Sequence, residues 1–290
     1  MDLAILIKQC RAVLSDISDK EQKRALWADF LLAWYLLQNF RQTCAAIRAD
    51  GGSPESPQEY ALRQTSFIPR SLRWDEADHP AEALLNFLFR IGELVPELQG
   101  IAQPGLWARQ VTNQQLQDLI QIYGNWSPTY TLTGDDCAKL LEWILLETPS
   151  EGREQRFFAP RQVARLLADM IQPKAGTVYD PCCGTGGLLA AMAERMKGQQ
   201  AFCLCGHEYS EQMWRMSKLL CYLRGFPADL GSEPAYALTL PPQDLPKADY
   251  IIANPPYNDE RWRRIKESVY TDPRWRYGTS VKFGADMAWL

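Results

Sequence analysis

The feature that most constrains the fold is an alternation of strand-like and helical segments after residue 150. The apolar segments GTVYD, AFCLCGHE and ADYIIA are separated by amphipathic stretches long enough for helices of roughly 10–15 residues. Strands joined through helices form crossover units, which build a parallel sheet with helices on its faces. In such sheets ligands bind at the carboxyl ends of the strands. The sequence therefore predicts a doubly wound α/β fold for residues 151–290.

Residues 1–150 have a different pattern, the 3–4 spacing of apolar side chains that is typical of amphipathic helices. The polar segment 148–156 that follows predicts a domain junction. We therefore expect a helical N-terminal domain, 1–150, followed by a second domain, 151–290. The expected helices are 3–17, 26–40, one beginning at Pro80, one beginning after a capping box at Thr112 and ending before Gly124, and 135–147.

Composition excludes several classes of site. Eight cysteines form no matched C-x-x-C pairs, and His79 and His207 are the only histidines, so we expect no metal site and no disulfide framework. The first half carries 13 Lys and Arg against 19 Asp and Glu, and the second half 18 against 16, which places any polyanion site in the second half.

The longest apolar run, 30–37, is far shorter than the roughly 20 residues of a membrane helix, and the N-terminus does not resemble a signal peptide. A cytoplasmic protein without membrane contact is expected.

A glycine-rich turn, DPCCGTGG, joins the first strand of the second half to a helix. Glycines there let the backbone approach a ligand closely. The turn lacks both the G-x-G-x-x-G pattern of dinucleotide sites and the Lys of a phosphate loop, and begins instead with an acid, Asp180. A second acid, Glu208, ends the next strand, where a carboxylate can bind both ribose hydroxyls. A ligand with a ribose, a positive centre and no phosphate is S-adenosylmethionine.

The sequence NPPY, residues 254–257, follows the apolar strand ADYIIA directly. Because two prolines cannot continue a strand, the chain must leave the sheet with a fixed backbone. The Asn254 side-chain oxygen and a rigid carbonyl would then accept both hydrogens of a conjugated amine, which frees the nitrogen lone pair for reaction. Tyr257 would stack on a flipped-out base. The competing interpretation is a Pro-terminated strand with a packed tyrosine.

With these two motifs in this order, the chain resembles the N6-adenine DNA methyltransferases, specifically the modification subunits of type I restriction-modification systems. That resemblance implies a Rossmann-like S-adenosylmethionine-dependent methyltransferase domain, DNA as substrate, a separate specificity subunit and a possible restriction subunit as partners. The implied catalytic residues are Asn254, Pro255, Pro256 and Tyr257. The implied cofactor-binding residues are Phe157, Phe158, Ala159, Pro160, Asp180, Pro181, Cys182, Gly184, Thr185, Gly186, Gly187 and Glu208.

Three departures from the family pattern stand out. Ala159 replaces the usual Thr and removes a helix N-cap worth roughly 1 kcal/mol. Ala237 replaces an Asp or Asn that faces the cofactor's adenine in the family. The family continues with further strands, a target-recognition region and a helical tail, whereas this sequence ends at Leu290. We therefore interpret it as a C-terminally truncated form and expect weak or no activity from these 290 residues alone.

The segment 261–277, RWRRIKESVYTDPRWRY, combines six Lys and Arg with four Trp and Tyr. Basic and aromatic residues together suit phosphate contacts and base stacking, so DNA contact is expected from Arg261, Arg263, Arg264, Arg274 and Arg276. The competing interpretation is a solvated loop.

Two other functions remain open from the residues. An NPPY loop also serves methyltransferases that act on RNA or on protein glutamine. A truncated, non-catalytic remnant that binds cofactor or partner subunits is the alternative from another class.

Overall fold

A computed structural model describes residues 3–63, 67–74, 79–126, 131–147, 159–198, 202–257, 259, 273–275 and 285–289. The chain divides into two compact units, Met1–Glu151 and Gly152–Leu290. The polar segment 148–156, where the sequence predicts the junction, lies entirely within residues 148–158, which the structure does not describe. The expected boundary at residue 150 therefore stays a prediction, although the two units divide next to it.

The first unit is helical, as its apolar spacing predicts. Its longest helix begins where Asp19 Oδ1 accepts hydrogen bonds from the backbone N–H groups of Glu21 and Gln22. Its described α-helices are α1 (Leu3–Val13), α2 (Lys20–Ala49), α3 (Pro57–Leu62), α4 (Pro80–Phe89), α5 (Ile91–Leu94), α6 (Pro104–Trp107), α7 (Asn113–Trp126) and α8 (Gly134–Glu147). Within the parts of the chain that the structure covers, no helix is long and apolar enough to cross a bilayer.

An aromatic cluster forms the centre of the first unit. Phe30 packs edge-on against Tyr123 with ring centroids 4.9 Å apart, and Trp34 lies 5.7 Å from Trp74. The prediction that the first-half tryptophans belong to the core is confirmed for Trp27, Trp34 and Trp107, which are all buried. Trp143 is half-buried and carries the Arg11 guanidinium over its ring. These rings pack among the helices of the first unit.

The capping box predicted at Thr112 is present at the start of α7. Thr112 Oγ1 accepts from the Gln115 N–H at 3.1 Å, and Gln115 Oε1 accepts from the Thr112 N–H at 2.9 Å. The prediction that Gly124 ends this helix is wrong, because α7 continues to Trp126. A helical glycine costs only about 1 kcal/mol. The buried side chains of Leu119 and Tyr123 hold the last turns in place against that cost.

The second unit contains a parallel sheet in which β1 (Gly176–Asp180) lies between β2 (Phe202–Gly206) and β3 (Tyr250–Ile251). Parallel pairing through crossover helices confirms the predicted α/β fold class. The elements are α9 (Arg161–Ile171), β1 (Gly176–Asp180), α10 (Gly187–Met196), β2 (Phe202–Gly206), α11 (Glu211–Leu223) and β3 (Tyr250–Ile251). The core of this unit packs Val178 and Leu204 of the sheet against Leu189 and Met192 of α10.

Strand β3 is shorter than the apolar segment ADYIIA suggests. Only Tyr250 and Ile251 pair with β1, and the Ile252 N–H adds one more bond to the Tyr179 carbonyl at 3.0 Å. Pro255 and Pro256 have no N–H to donate, so the ladder cannot resume in the NPPY loop. The strand therefore serves chiefly to bring the NPPY loop to the end of β1.

Candidate functional site

The sheet register brings the three predicted sites to one edge. Asp180 is the last residue of β1 and pairs with Gly206, two residues before Glu208. Tyr179 pairs with Ile251, three residues before Asn254. Because all three strands are parallel, their carboxyl ends meet at this edge. The expected convergence of Asp180, Glu208 and Asn254 is confirmed at the level of the strand ends.

The turn after β1 is a fixed backbone structure that needs its glycines. Gly184 and Gly186 have φ angles of 56° and 77°, a region that residues with a Cβ rarely adopt. A Cβ at Gly186 would also lie 2.6 Å from Ser217 Oγ of α11. Gly186 is thus required twice, for its φ angle and for the close packing of the turn on α11.

Hydrogen bonds fasten this turn to the end of β2. The Cys183 N–H donates to the His207 carbonyl at 2.9 Å, and the His207 N–H donates to the Asp180 carbonyl at 3.0 Å. The Gly184 N–H donates to Glu208 Oε2 at 3.0 Å. The turn and the two acids therefore form one rigid constellation.

Asp180 is completely buried at the bottom of this constellation. Its Oδ1 accepts from the Cys182 N–H at 3.0 Å, while its Oδ2 is buried without a hydrogen-bond partner among the described residues. Burial, together with the charge of Glu208, raises the pKa of the Asp180 carboxyl to about 7, against the lowering effect of the Cys182 N–H. An orphaned buried carboxylate oxygen fits a ligand that brings its own donor or positive charge.

Glu208 is 7% exposed, and both its oxygens already accept one backbone hydrogen bond. Ser210 N–H donates to Oε1 at 2.8 Å, and Gly184 N–H donates to Oε2. A carboxylate offers about four acceptor positions. Glu208 is therefore oriented by the backbone, and a carboxylate in this position suits a vicinal diol such as a ribose.

A small cavity of about 30 Å³ lies between the turn and the NPPY loop. The side chain of Cys182 lies against the backbone N–H of Asn254 on one side of it. Residues lining the cavity are Ala159, Asp180, Cys182, Cys183, Gly184, Thr185, Gly187, Leu188 and Asn254. Three segments that the sequence assigned to the cofactor or to catalysis, represented by Ala159, the glycine turn and Asn254, thus line one cavity.

The NPPY loop presents its polar and aromatic ends to solvent. Asn254 is exposed, and Tyr257 is 79% exposed. A tyrosine this exposed is not a core residue, which excludes the competing interpretation of a packed ring. Pro255 and Pro256 are half-buried beneath them. The arrangement leaves both side chains available to a substrate.

Of the remaining predicted residues, two lie next to the cavity, Arg274 bonds to backbone carbonyls, and six lie outside the described residues. Pro160 precedes the first residue of α9 and Pro181 continues from Asp180, both next to the cavity residues named above. Arg274 donates to the carbonyls of Ala237 and Leu240 at 3.3 and 2.6 Å, so its predicted DNA contact would compete with these bonds. Outside the described residues lie Phe157, Phe158, Arg261, Arg263, Arg264 and Arg276. Their roles stay predictions.

His207 is the histidine nearest the site, and its ring is already engaged. Its Nδ1 pairs with the Tyr179 hydroxyl at 2.8 Å, and burial lowers its pKa. No group of three or more His, Cys, Asp or Glu that could hold a metal ion occurs in the described parts of the chain.

Sequence reasoning missed one pair beside the site. The Tyr236 hydroxyl donates to Asp259 Oδ2 at 2.9 Å, and Asp259 is 7% exposed. Asp259 follows the NPPY loop, and Tyr236 directly precedes Ala237, which is buried. No local pattern marks either residue, because their partnership exists only after the chain has folded.

Comparison with known proteins agrees with this geometry. The profile of the N-6 DNA Methylase family matches residues 133–290, more than half of the chain. The type I restriction enzyme HindI methylase subunit of Haemophilus influenzae is 32% identical over 255 residues, which cover 82% of this chain and 57% of that protein. The type I restriction enzyme MjaIX methylase subunit of Methanocaldococcus jannaschii is 29% identical, with 77% and 42% covered. The chain spans about half the length of these relatives.

Solved structures support the fold. The methyltransferase subunit of a type I restriction-modification system from Streptococcus thermophilus matches with a TM-score of 0.66 at 17% identity, over 98% of this chain and 69% of that chain. A structure from a type I R-M system, solved to explain complex assembly, matches with a TM-score of 0.53 at 22% identity, over 89% and 55%. The family profile and the Haemophilus influenzae relative confirm the resemblance seen in the motifs, and the chain belongs to the N-6 DNA methylase family.

Proposed function

We propose that the protein transfers a methyl group from S-adenosylmethionine to the N6 amine of adenine in DNA, as the modification subunit of a restriction-modification system. The observation that carries the proposal is the meeting of Asp180, Glu208 and the NPPY loop at one sheet edge around a glycine turn without a phosphate-binding sequence. Family membership supports the reaction class, and the names of the type I relatives support DNA as the substrate.

The residues present fit S-adenosylmethionine. The unpartnered Oδ2 of Asp180 suits its cationic methionine end, and Glu208 suits its ribose hydroxyls. Close approach of the cofactor to the backbone is possible at Gly184 because that residue has no side chain. When bound, S-adenosylmethionine supplies an electrophilic methyl group.

The NPPY loop provides the groups that act on the target amine. The Asn254 side-chain oxygen and a carbonyl of the loop would accept the two amine hydrogens, which favours a pyramidal nitrogen with a free lone pair. Because these bonds strengthen as the nitrogen becomes pyramidal, they lower the barrier rather than only improve binding. The exposed ring of Tyr257 would stack on the extruded base.

The partners follow from the same relatives. Proteins named methylase subunits of type I restriction enzymes resemble this chain over most of its length. We therefore include in the proposal a separate specificity subunit that selects the DNA site, a restriction subunit in the complete system, and action in the cytoplasm. DNA contacts would come from the basic and aromatic segment 261–277.

The test is transfer of a tritiated methyl group to plasmid DNA, tRNA and protein substrates, with the specificity subunit present and absent. We expect label in DNA at N6 of adenine and none in the other two substrates. Label in tRNA or in protein glutamine would replace the proposed substrate by one of those classes. Cofactor binding without transfer to any substrate would favour a non-catalytic role.

A further inference from the structure

We propose that Tyr236 and Asp259 are positioning residues that hold the NPPY loop at the cofactor pocket through their mutual hydrogen bond. This inference rests on the proposed function for its meaning in methyl transfer, but its structural part can be tested separately. Neither residue belongs to the NPPY loop or to the glycine turn.

The loop is fastened at two buried points with exposed residues between them. On its N-terminal side, Ile252 is 4% exposed and its N–H donates to the Tyr179 carbonyl at 3.0 Å. On its C-terminal side, Asp259 is 7% exposed and accepts from the Tyr236 hydroxyl at 2.9 Å. Asn254 and Tyr257 lie exposed between these points. The position of the exposed residues therefore depends on both anchors.

Tyr236 is itself fixed on several sides. Its ring packs edge-on against Tyr209 and Trp289, with centroids 6.3 and 5.8 Å away. The N–H of the preceding residue, Ala235, donates to the Glu208 carbonyl at 2.8 Å, which ties this segment to the residue assigned to the ribose. Immediately after Tyr236, the carbonyl of Ala237 accepts from Arg274. The hydroxyl is thus held in place before it meets Asp259.

A chain of contacts consequently runs from the cofactor side of the pocket to the loop. It passes from Glu208 through the backbone of Ala235 to Tyr236, and from the Tyr236 hydroxyl to Asp259. Rigid positioning of reacting groups contributes strongly to catalysis, and small displacements are costly. Loss of the hydroxyl should loosen the loop without removing any group that touches cofactor or substrate.

Cys182 reports the position of the loop independently of activity, because its side chain lies against the Asn254 backbone N–H. The full chain is treated with iodoacetamide, and the rate at each cysteine is followed by mass spectrometry. Cys203, which is exposed on β2, serves as the internal reference. A hydrogen bond of ordinary net strength corresponds to about a 3- to 10-fold change in an opening equilibrium.

We expect Tyr236→Phe and Asp259→Ala to accelerate Cys182 labelling by about 3- to 10-fold relative to Cys203. Asp259→Asn keeps an acceptor oxygen and should label within about 2-fold of the unaltered chain, which a loss of the anchor would not allow. The matched control is Tyr250→Phe, which removes a tyrosine hydroxyl that accepts from the Lys174 N–H at 3.4 Å. It should leave Cys182 labelling unchanged.

In methyl transfer with the specificity subunit, Tyr236→Phe should lower kcat by about the same 3- to 10-fold and leave the cofactor Kd unchanged. Unchanged Cys182 labelling in Tyr236→Phe overturns the inference. Faster labelling of the buried Cys183 and Cys221 as well indicates general unfolding and also overturns it. If the unaltered protein methylates no substrate, the proposed function fails, whereas the labelling comparison still decides whether this pair positions the loop.

Discussion

Asp180 is the residue at which burial and charge conflict most strongly. Its carboxyl is wholly inaccessible, accepts one backbone hydrogen bond, and has a pKa raised to about 7 by burial. In the unfolded chain the same carboxyl group has its ordinary pKa of 3.8. This arrangement favours the binding of a cation, because a positive charge provides the favourable interaction that the protein does not give to the ionised carboxylate. In the protein without a bound cation, the buried ionised carboxylate lowers the free energy of unfolding.

This conflict predicts how stability depends on pH. The folded Asp180 carboxyl binds a proton more tightly than the unfolded one, so its contribution to stability is present at low pH and is lost as the pH rises towards 7. In urea denaturation without cofactor, the free energy of unfolding should fall by about 2 kcal/mol between pH 5.5 and 7 relative to Asp180→Asn, and stay level above about pH 8. Parallel pH profiles for the two proteins would contradict this assignment.

The same two acids should control cofactor affinity. Asp180→Ala and Glu208→Ala each remove a carboxylate assigned to the cofactor, and calorimetry with S-adenosylmethionine should show binding lost or weakened at least 10-fold in both. Glu194→Ala is a suitable control, because its carboxylate pairs with Arg161 and Arg165 on the surface. Equal binding by all four proteins would place the cofactor elsewhere.

Substitution of Asn254 should reduce methyl transfer rather than cofactor affinity, in contrast to substitution of Asp180 or Glu208. Because its side chain would touch the target amine, Asn254→Ala should leave cofactor affinity nearly unchanged and lower methyl transfer to DNA by about 10²- to 10³-fold, the typical cost of one such polar group. The measurement is single-turnover transfer of a tritiated methyl group, with cofactor affinity determined on the same preparations. Full transfer by the variant would remove Asn254 from the catalytic residues.

At the scale of elements, β1, the glycine turn and α10 form the unit that builds the pocket. Gly186 joins them, with a positive φ and no room for a Cβ beside Ser217 and Cys221 of α11. The turn is also bonded to the end of β2 through Cys183 and His207. Packing of the turn on α11 and pairing of β1 with β2 therefore fix the same few residues.

Substitution of Gly186 separates the two requirements on this residue. Gly186→Ala should destabilise the protein by about 2–5 kcal/mol, the sum of an unfavourable φ and of overpacking. Gly198 has a similar φ of 80° with open space around it, so Gly198→Ala should cost only about 1–2 kcal/mol. Adding Ser217→Ala to Gly186→Ala should restore part of the difference. Equal losses in both single variants, measured by urea denaturation, would show that close packing is unimportant here.

At the scale of the whole molecule, every described residue assigned to the cofactor belongs to the second compact unit. Among the described residues, no comparable group of side chains is assigned to recognition of a DNA sequence. We therefore expect addition of the specificity subunit to leave the Kd for S-adenosylmethionine within about 3-fold while methyl transfer to DNA requires that subunit. Calorimetry and transfer assays on the same preparations test this. A cofactor Kd that improves by more than about 10-fold with the partner would mean that the pocket is completed by the partner.

The features that could be predicted from the amino-acid sequence are those that depend on neighbours along the chain. Apolar periodicity predicted the helical first half and the α/β second half. The glycine turn and the NPPY loop were assigned to strand ends, because glycine frees the backbone locally and proline restricts it. The convergence of Asp180, Glu208 and Asn254 was also predictable, because parallel strands bring their carboxyl ends together. One local inference failed at Gly124, where packing of Tyr123 outweighs the weak helix propensity of glycine.

The hydrogen-bond partners and the burial of individual side chains become visible in the folded protein and not in the sequence. The bond from Tyr236 to Asp259, the use of Arg274 on two carbonyls and the unpartnered Oδ2 of Asp180 all depend on distances between segments far apart in sequence. Desolvation is likewise a property of the folded surroundings, so the raised pKa of Asp180 has no signature in the sequence around it. Local sequence restricts the backbone, whereas hydrogen-bond partners and burial are set by long-range packing.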